Sequence, residues 1–284
     1  MCSAPWLALV GAPLTAPAQT AMPPGAVANV SFPGKDSLEL KGRLYRPTGD
    51  GPSPAVVLLH GCAGVMLMGA SMDRVIVPAL DSGYVVLVVD SLAPRHVDSI
   101  CADPLLVCVS GQPLGTQSPT ARERADDAFA AQRFLSSVPF VDSGRIGLIG
   151  WSHGGIAALR TWERNVVVAG RAPFAAIAAY YPCCAREASE GDEDVRATRV
   201  PLAIFIGDLD DWCPATFCRS FMARETASGR RDLSLTVYPG ATHSFDGVGG
   251  SSTYLGHKLA PDPAATQDSH ERLFAFLDRM LKRP

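Results

Sequence analysis

The sequence has few charged residues and no marked excess of either sign. Charged side chains make up 19% of the 284 residues, and the formal net charge is -3 at pH 7. Nucleic-acid-binding domains usually concentrate positive charge on one face, and nothing here indicates such a face. The chain also lacks an apolar run of the roughly 18 residues that cross a bilayer. The composition therefore predicts neither a nucleic-acid partner nor membrane insertion.

Lysine and arginine are absent from the first 25 residues. An apolar stretch from Trp6 to Leu14 is followed by Ala-Pro-Ala at 16–18, which suits the cleavage site of an export signal, although the usual basic start is missing. Residues 1–25 are therefore interpreted as an export signal, which would make the protein secreted or periplasmic. The alternative is a Pro/Ala-rich disordered leader or a misplaced start codon on a cytoplasmic protein. Residues 26–284 are predicted to form one domain.

No Cys-x-x-Cys pair occurs among the eight cysteines, and no histidine stands at zinc-ligand spacing from one of them. We therefore expect no metal site. Cys101 lies close to Cys108 along the chain, and Cys213 lies close to Cys218. Such short loops favour local disulfides in an exported protein. The alternative is that the cysteines are buried free thiols that pack as small apolar side chains.

Short apolar runs rich in β-branched residues alternate with helical spacing beyond Gly25. Two strands, Val27 to Phe32 and Leu38 to Arg46, are predicted to form an edge hairpin. Six buried strands are predicted after them, at "PAVVLLHG", "YVVLVVD", "RIGLIG", "FAAIAAYYP", "PLAIFIGD" and "LSLTVYPG". Helices are predicted near 71–82, after Pro119 and over about 264–281. This order predicts a mostly parallel eight-stranded sheet with helices on both faces.

The sequence Gly150-Trp151-Ser152-His153-Gly154 fits the pattern G-x-S-x-G between a buried strand and a helix. Small residues at both ends of this pattern allow a sharp turn that presents the serine hydroxyl at the carboxyl edge of the sheet. The alternative is a structural turn without a reactive group. The strand-turn-helix context favours Ser152 as a nucleophile.

A serine hydroxyl needs a base, and a histidine oriented by a carboxylate supplies one. His243 follows the strand "LSLTVYPG" directly, whereas His96 and His257 lie in loops without a preceding strand. The other competing histidines are His60 and His153, which flank the proposed oxyanion site, and His270, which lies in the last helix. We therefore predict His243 as the base. The acid follows the preceding strand, where Asp210 is favoured over its neighbours Asp208 and Asp211.

Two backbone N–H groups are expected to form an oxyanion hole. One belongs to His153, directly after the nucleophile, and the other to Cys62, in the loop after "LLHG". The excursion from 91 to 119 and the loop from 245 to 263 are predicted to cover the pocket. Trp151, Trp212, Tyr181 and Tyr254 are candidates for its lining, although aromatic residues at such places are as often packing residues.

The motifs "AVVLLHGCAGV", "GLIGWSHGG", "GDLDDWCPA" and "YPGATHSFD" resemble the dienelactone hydrolase family of α/β-hydrolases. The resemblance implies an α/β-hydrolase domain over 26–284 and a triad of Ser152, Asp210 and His243. The family pattern G-x-x-D-x-x-x-P, matched here by Gly207, Asp210 and Pro214, favours Asp210.

This chain departs from the resemblance at the nucleophile, since the enzyme that gives the family its name uses a cysteine where Ser152 stands. Arg95 resembles the position that holds a substrate carboxylate in that enzyme, although a loop arginine is more often solvated.

The sequence thus predicts a serine hydrolase that cleaves small carboxylic esters or lactones through an acyl-enzyme, without a metal or organic cofactor. Two alternatives stay open. The same residues could hydrolyse amides or transfer acyl groups, or the scaffold could be a non-catalytic binding module. The natural substrate and the oligomeric state are not predicted from the sequence.

Overall fold

The computed structural model describes residues 22–101, 118–165, 173–185 and 200–282. The main strands are β1 (Val27–Pro33), β2 (Glu39–Tyr45), β3 (Ser53–Leu59), β4 (Val85–Asp90), β5 (Val141–Trp151), β6 (Ala176–Tyr180), β7 (Leu202–Gly207) and β8 (Leu233–Tyr238). They form one sheet in the order β1-β2-β4-β3-β5-β6-β7-β8. β1 and β2 are antiparallel to their neighbours, and all other pairs are parallel. The predicted fold class is confirmed.

Helices cover both faces of this sheet. They are α1 (Gly64–Asp81), α2 (Ala121–Ser136), α3 (His153–Arg164), α4 (Ala215–Ala227) and α5 (Pro263–Leu281), with short 3-10 turns at Lys35–Ser37 and Ala93–Arg95. Within the described residues, none of the helices combines the length and the apolar character that crossing a membrane requires.

The central strands are buried on both faces, which is why their sequences are continuous apolar runs rather than alternating ones. Every residue of β6 and β7 is buried, as are five of the seven residues of β3. Strand β8 lies at the edge of the sheet and is only partly buried. The parallel strands therefore end together, and the loops that follow β3, β5, β7 and β8 meet at one edge.

Two elements differ from the sequence prediction. Helix α1 begins at Gly64, about seven residues before the predicted start. The prediction missed this part of the helix because its first turn exposes apolar residues and so carries no amphipathic pattern. Met66 is 93% exposed and Leu67 is 76% exposed. A short hairpin of β9 (Ser252–Tyr254) and β10 (His257–Leu259) lies where the sequence predicted only a loop. Three-residue strands are too short to show a periodic pattern.

Within the described residues, disulfides join Cys62 to Cys101, Cys183 to Cys213 and Cys184 to Cys218. The expected pairing of Cys213 with Cys218 is wrong. Cys101 pairs with Cys62 rather than with Cys108, which lies outside the described residues.

The physical reason for the observed pairing is the sheet topology. Cys62 follows β3 and Cys101 follows β4, and these strands are neighbours; Cys183 and Cys213 follow the neighbouring strands β6 and β7. The disulfides therefore connect loops that adjacent parallel strands bring together, at sequence separations of 39 and 30 residues.

Two further expectations concern residues that are mostly not described. The export signal or leader predicted over 1–25 lies outside the described residues up to position 21. The excursion predicted over 91–119 lies outside them from 102 to 117.

Candidate active site

Ser152 occupies a sharp turn between β5, which ends at Trp151, and α3, which begins at His153. Its backbone has φ 50° and ψ -117°, a conformation that costs a non-glycine residue free energy. A Cβ atom on Gly150 would lie 2.1 Å from the carbonyl oxygen of Gly154, and one on Gly154 would lie 2.3 Å from that of Leu59. Only glycine fits at both positions, which explains the spacing of the motif.

The structure brings Ser152, His243 and Asp210 together. Ser152 Oγ lies 3.0 Å from His243 Nε2, and His243 Nδ1 lies 2.8 Å from Asp210 Oδ2. A carboxylate only accepts hydrogen bonds, so the imidazole proton lies on Nδ1 and leaves Nε2 as the acceptor for the serine hydroxyl. This tautomer is the one in which a histidine can take a proton from serine.

Asp210 is the carboxylate that the loop after β7 presents to the histidine. It is buried, and its Oδ1 accepts the backbone N–H groups of Trp212 at 3.1 Å and Cys213 at 2.7 Å. Asp211 is exposed and lies near His257, while Asp208 is exposed and accepts the N–H of Gly240. The two alternatives therefore face away from His243.

His243 is held by the elements packed on either side of it. The ring of Tyr181 meets it edge-on with centroids 4.7 Å apart, and the ring of Trp212 lies 5.2 Å away. An isolated bridge connects the backbone of His243 with Leu259 in β10. Next to it, the Thr242 hydroxyl bonds both the N–H and the carbonyl of Ala260. The short hairpin thus holds His243 in place.

The predicted oxyanion donors lie on two different segments beside Ser152. His153 is the first residue of α3, so its N–H is free of the helical hydrogen-bond pattern. The carbonyl of Cys62 accepts the N–H of Ile100 at 2.9 Å, and its side chain is bonded to Cys101. Among the described residues, none of the hydrogen bonds uses the N–H of Cys62.

Arg95 is placed differently from the expectation that it holds a substrate carboxylate. Its Nη1 and Nη2 atoms donate to the two carboxylate oxygens of Asp127 at 2.8 and 2.9 Å, and Nη1 also donates to the carbonyl of Ser91. The carboxylate that its fork holds is therefore an internal one, on α2.

Trp151 and Tyr181 are 1% and 2% exposed, which does not agree with the expectation that they line the substrate pocket. Both bind Asp246, a buried carboxylate that the sequence analysis missed. Trp151 Nε1 donates to its Oδ2 at 2.8 Å, and the Tyr181 hydroxyl donates to its Oδ1 at 2.7 Å. Burial and this carboxylate raise the pKa of Tyr181 well above its usual range. Asp246 therefore links Trp151, the residue before Ser152, with the Tyr181 ring that packs against His243.

Trp212 is only partly buried and lies in a stack of rings over His243. Its ring is 4.8 Å from that of His257 and 6.0 Å from that of Tyr254, centroid to centroid. Of the four aromatic candidates, Trp212 and Tyr254 are therefore the ones with exposed ring surface beside His243.

A second missed residue is Arg124, which lies on α2 and is fully buried. Its Nη1 lies 2.9 Å from His153 Nδ1, and its Nη2 donates to the carbonyl of His60 at 2.6 Å. Burial lowers the pKa values of His60 and His153 well below the usual range, and the nearby arginine charge lowers them further. Both rings are therefore neutral. The signal in the sequence is a charged residue next to Ala125 on the apolar side of a helix.

Asp210, Cys213 and His243 also place their side-chain donor atoms within 4.8 Å of one another. Cys213 Sγ is bonded to Cys183, so it is not a thiolate, and His243 and Asp210 are already bonded to each other. The chemistry of this donor set does not suit a metal ion.

Comparisons with known proteins give consistent results. Residues 40–281 match the dienelactone hydrolase family. A protein of Bradyrhizobium sp. with the name "Probable 2-oxo-3-(5-oxofuran-2-ylidene)propanoate lactonase" is 23% identical over 202 residues, which cover 71% of this chain and 77% of the relative.

Solved structures show the same fold. A Pyrococcus furiosus esterase is 19% identical with a TM-score of 0.64, covering 96% of this chain and 98% of its own. A dienelactone hydrolase-like promiscuous phosphotriesterase from metagenomic libraries is 20% identical with a TM-score of 0.66, covering 90% of this chain and 99% of its own. At these identities the likeness concerns the architecture alone.

Proposed function

This chain belongs to the dienelactone hydrolase family and is a hydrolase of esters or lactones, and on that premise we propose that it works through an acyl-enzyme on Ser152. The observation that carries the proposal is the continuous hydrogen-bond chain from Ser152 Oγ through His243 to Asp210. We also propose that residues 26–284 form a single hydrolase domain, since the family match extends from 40 to 281.

In the first half of the reaction, His243 Nε2 takes the hydroxyl proton as Ser152 Oγ attacks the carbonyl carbon. The imidazolium that forms keeps its Nδ1–H on the Asp210 carboxylate, which stabilises the positive charge. The carbonyl oxygen becomes an anion in the tetrahedral intermediate. His243 then gives its proton to the leaving alkoxide as the ester bond breaks, which leaves the acyl group on the serine.

In the second half, a water molecule takes the place of the alcohol. His243 removes one of its protons while the water oxygen attacks the acyl carbon, and the same imidazole returns that proton to Ser152 Oγ as the carboxylic acid departs. Each proton that leaves one oxygen therefore arrives at another through a single ring nitrogen.

The N–H groups of Cys62 and His153 are proposed to bind the oxyanion in both intermediates. The N-terminus of α3 adds a favourable dipole at the same place. Because Asp127 occupies the fork of Arg95, the proposal assigns no role to Arg95 in holding a substrate carboxylate. The proposed substrates are small esters and lactones, and we propose that they contact Trp212 and Tyr254.

We propose that the protein works in an oxidising compartment, outside the cell or in a periplasm, and the disulfides support this location. In the cytoplasm, thiols are normally kept reduced.

Replacing Ser152 by alanine tests the proposal. We expect the rate of nitrophenyl ester and lactone hydrolysis to fall at least about 10³-fold with the fold retained, because one partly exposed oxygen is lost. A fluorophosphonate should label the parent protein at Ser152 and leave the variant unlabelled. The matched control is Ser220→Ala, at an exposed serine of α4, which should behave as the parent. Parental turnover by Ser152→Ala would refute the assignment of Ser152 as the nucleophile.

A separate measurement with an added alcohol distinguishes the two reactions, since capture of the acyl group by the alcohol would favour acyl transfer over hydrolysis.

A further inference from the structure

The described part of the chain contains a buried cation directly beneath the proposed oxyanion hole. Arg124 is 0% exposed, which is rare for arginine unless it is paired. Burial lowers its pKa to about 10, so the guanidinium is still charged at neutral pH. Removing a charge from water costs free energy, which the hydrogen bonds of the guanidinium have to offset.

The two terminal nitrogens of Arg124 hold two different segments of the site. Nη2 donates to the carbonyl oxygen of His60 at 2.6 Å, at the end of the segment that continues into Gly61 and Cys62. Nη1 donates to Nδ1 of His153 at 2.9 Å, at the start of α3. One planar fork therefore connects the segment that leads from His60 to Cys62 with the start of α3 at His153.

The tautomers of the two imidazoles follow from their hydrogen bonds. Nε2 of His60 accepts the backbone N–H of Ser91 at 3.3 Å, so its proton lies on Nδ1, which donates to the carbonyl of Gly61 at 2.6 Å. The ring of His60 thus fixes the peptide next to the one that Arg124 holds. His153 accepts from Arg124 through Nδ1, so its own proton lies on Nε2.

Asp127 and Asp90 act on the Arg124 guanidinium through their charge, and both oxygens of Asp127 accept hydrogen bonds from Arg95. Arg124 is left with a backbone carbonyl and an imidazole, and its Nε has no hydrogen-bond partner among the described residues. An ion pair serving only the stability of α2 would be expected to place a carboxylate on this fork.

We propose that Arg124 is a positioning residue that fixes the distance between the N–H of Cys62 and the N–H of His153, and so strengthens binding of the tetrahedral oxyanion more than binding of the substrate. The inference rests on the proposed function of Ser152. The expected effect is on the transition state, because an anionic oxygen gains more from hydrogen bonds to the two N–H groups than the neutral carbonyl oxygen of the bound substrate does.

The test compares Arg124→Met, Arg124→Lys and the control Arg164→Met. Arg164 also bridges α3 and α2, through Asp126 and the carbonyl of Arg122, but at the far end of α3. Three quantities are measured: kcat/KM for a nitrophenyl ester, the inhibition constant of an alkyl boronic acid, which forms a tetrahedral adduct on serine, and that of the product carboxylic acid. Melting temperatures report the fold.

For Arg124→Met we expect kcat/KM to fall about 30- to 100-fold and boronic acid binding to weaken by a similar factor, with binding of the product acid within about twofold of the parent. Arg124→Lys keeps the charge but reaches only one partner, so a loss of about 10-fold is expected. For Arg164→Met, kcat/KM should stay within about threefold of the parent, because the contacts of Arg164 lie at the far end of α3, away from the site.

Equal weakening of boronic acid and product acid, or parental kcat/KM in folded variants, would overturn the positioning role. If Arg124→Met does not fold, Arg124→Lys alone decides, since it retains the buried charge. Failure of the underlying function would look different, because the parent protein itself would then give no fluorophosphonate adduct at Ser152.

Discussion

The floor and the rim of the site are built in different ways. The floor, defined as His60–Cys62 and Gly150–Gly154, is fixed by strand ends, by close backbone contacts and by the buried Arg124. The rim, defined as Trp212, Tyr254 and His257, is a stack of partly exposed rings on a loop and on a hairpin of two three-residue strands.

This difference indicates how the two regions divide the work. The atoms that are proposed to face the reacting carbonyl lie on elements with little freedom to move, which suits groups that stabilise a transition state. Within the rim, Trp212 contacts His243 and stacks on the other two rings, so we expect these rings to shape binding without taking part in proton transfer. Substitutions that disturb the floor or its triad should therefore reduce kcat, and substitutions at the rim should alter KM.

The largest effect after loss of Ser152 is expected for Asp210→Asn. The amide can hold the imidazole only in the wrong tautomer, and it cannot stabilise the imidazolium, so kcat for ester hydrolysis should fall about 10³- to 10⁴-fold. The matched control is Asp211→Asn, because Asp211 is exposed and next in the chain. Similar losses in both variants, measured by steady-state kinetics, would mean that Asp210 has no special role.

An intermediate effect is expected from removing the disulfide that fixes the loop of Cys62. In the double variant Cys62→Ser with Cys101→Ser, the proposed oxyanion donor loses the covalent bond that holds its loop, so kcat should fall about 10-fold. The control is Cys184→Ser with Cys218→Ser, which opens a loop of similar length, with a sequence separation of 34 residues rather than 39.

Both disulfide variants should lose similar stability, of about 2 to 5 kcal/mol, in a thermal or denaturant unfolding measurement. Equal loss of kcat in the two variants would show that the Cys62 bond acts through stability alone and is not part of the floor.

The smallest effect is expected at the rim. Trp212→Ala removes a ring that lies over His243 and stacks on Tyr254 and His257, so KM for aryl esters should rise about three- to tenfold while kcat changes by less than about threefold. Phe217→Ala, at an exposed aromatic residue of α4, is the control and should change neither constant. A kcat loss comparable with that of Asp210→Asn would place Trp212 in the floor and end the division proposed here.

The sequence predicted the floor better than the rim because the floor obeys local rules. Buried parallel strands are continuous apolar runs, and the turn around Ser152 needs glycine on both sides, so both features are visible in a short window. The order of Ser152, Asp210 and His243 along the chain followed from strand ends in the same way. The structure brings these three residues into contact.

What the sequence did not predict depends on contacts between distant segments. The cysteine pairs depend on which strands are neighbours, so proximity along the chain suggested the wrong partner for Cys213. Arg95 and Arg124 are both arginines, so the sequence does not distinguish their contacts. Only the packing of α2 shows that Arg95 binds Asp127 while Arg124 binds the floor. Nor does a sequence pattern indicate that Asp246 turns Trp151 and Tyr181 inward.

The measurement that tests the central claim most directly is the mass of the protein quenched in acid during turnover of a slowly released acyl ester. The account predicts a covalent adduct of the mass of the acyl group, located by peptide mapping on Ser152 and absent from Ser152→Ala. Turnover with no adduct on Ser152, or with the acyl group on another residue, would contradict the account.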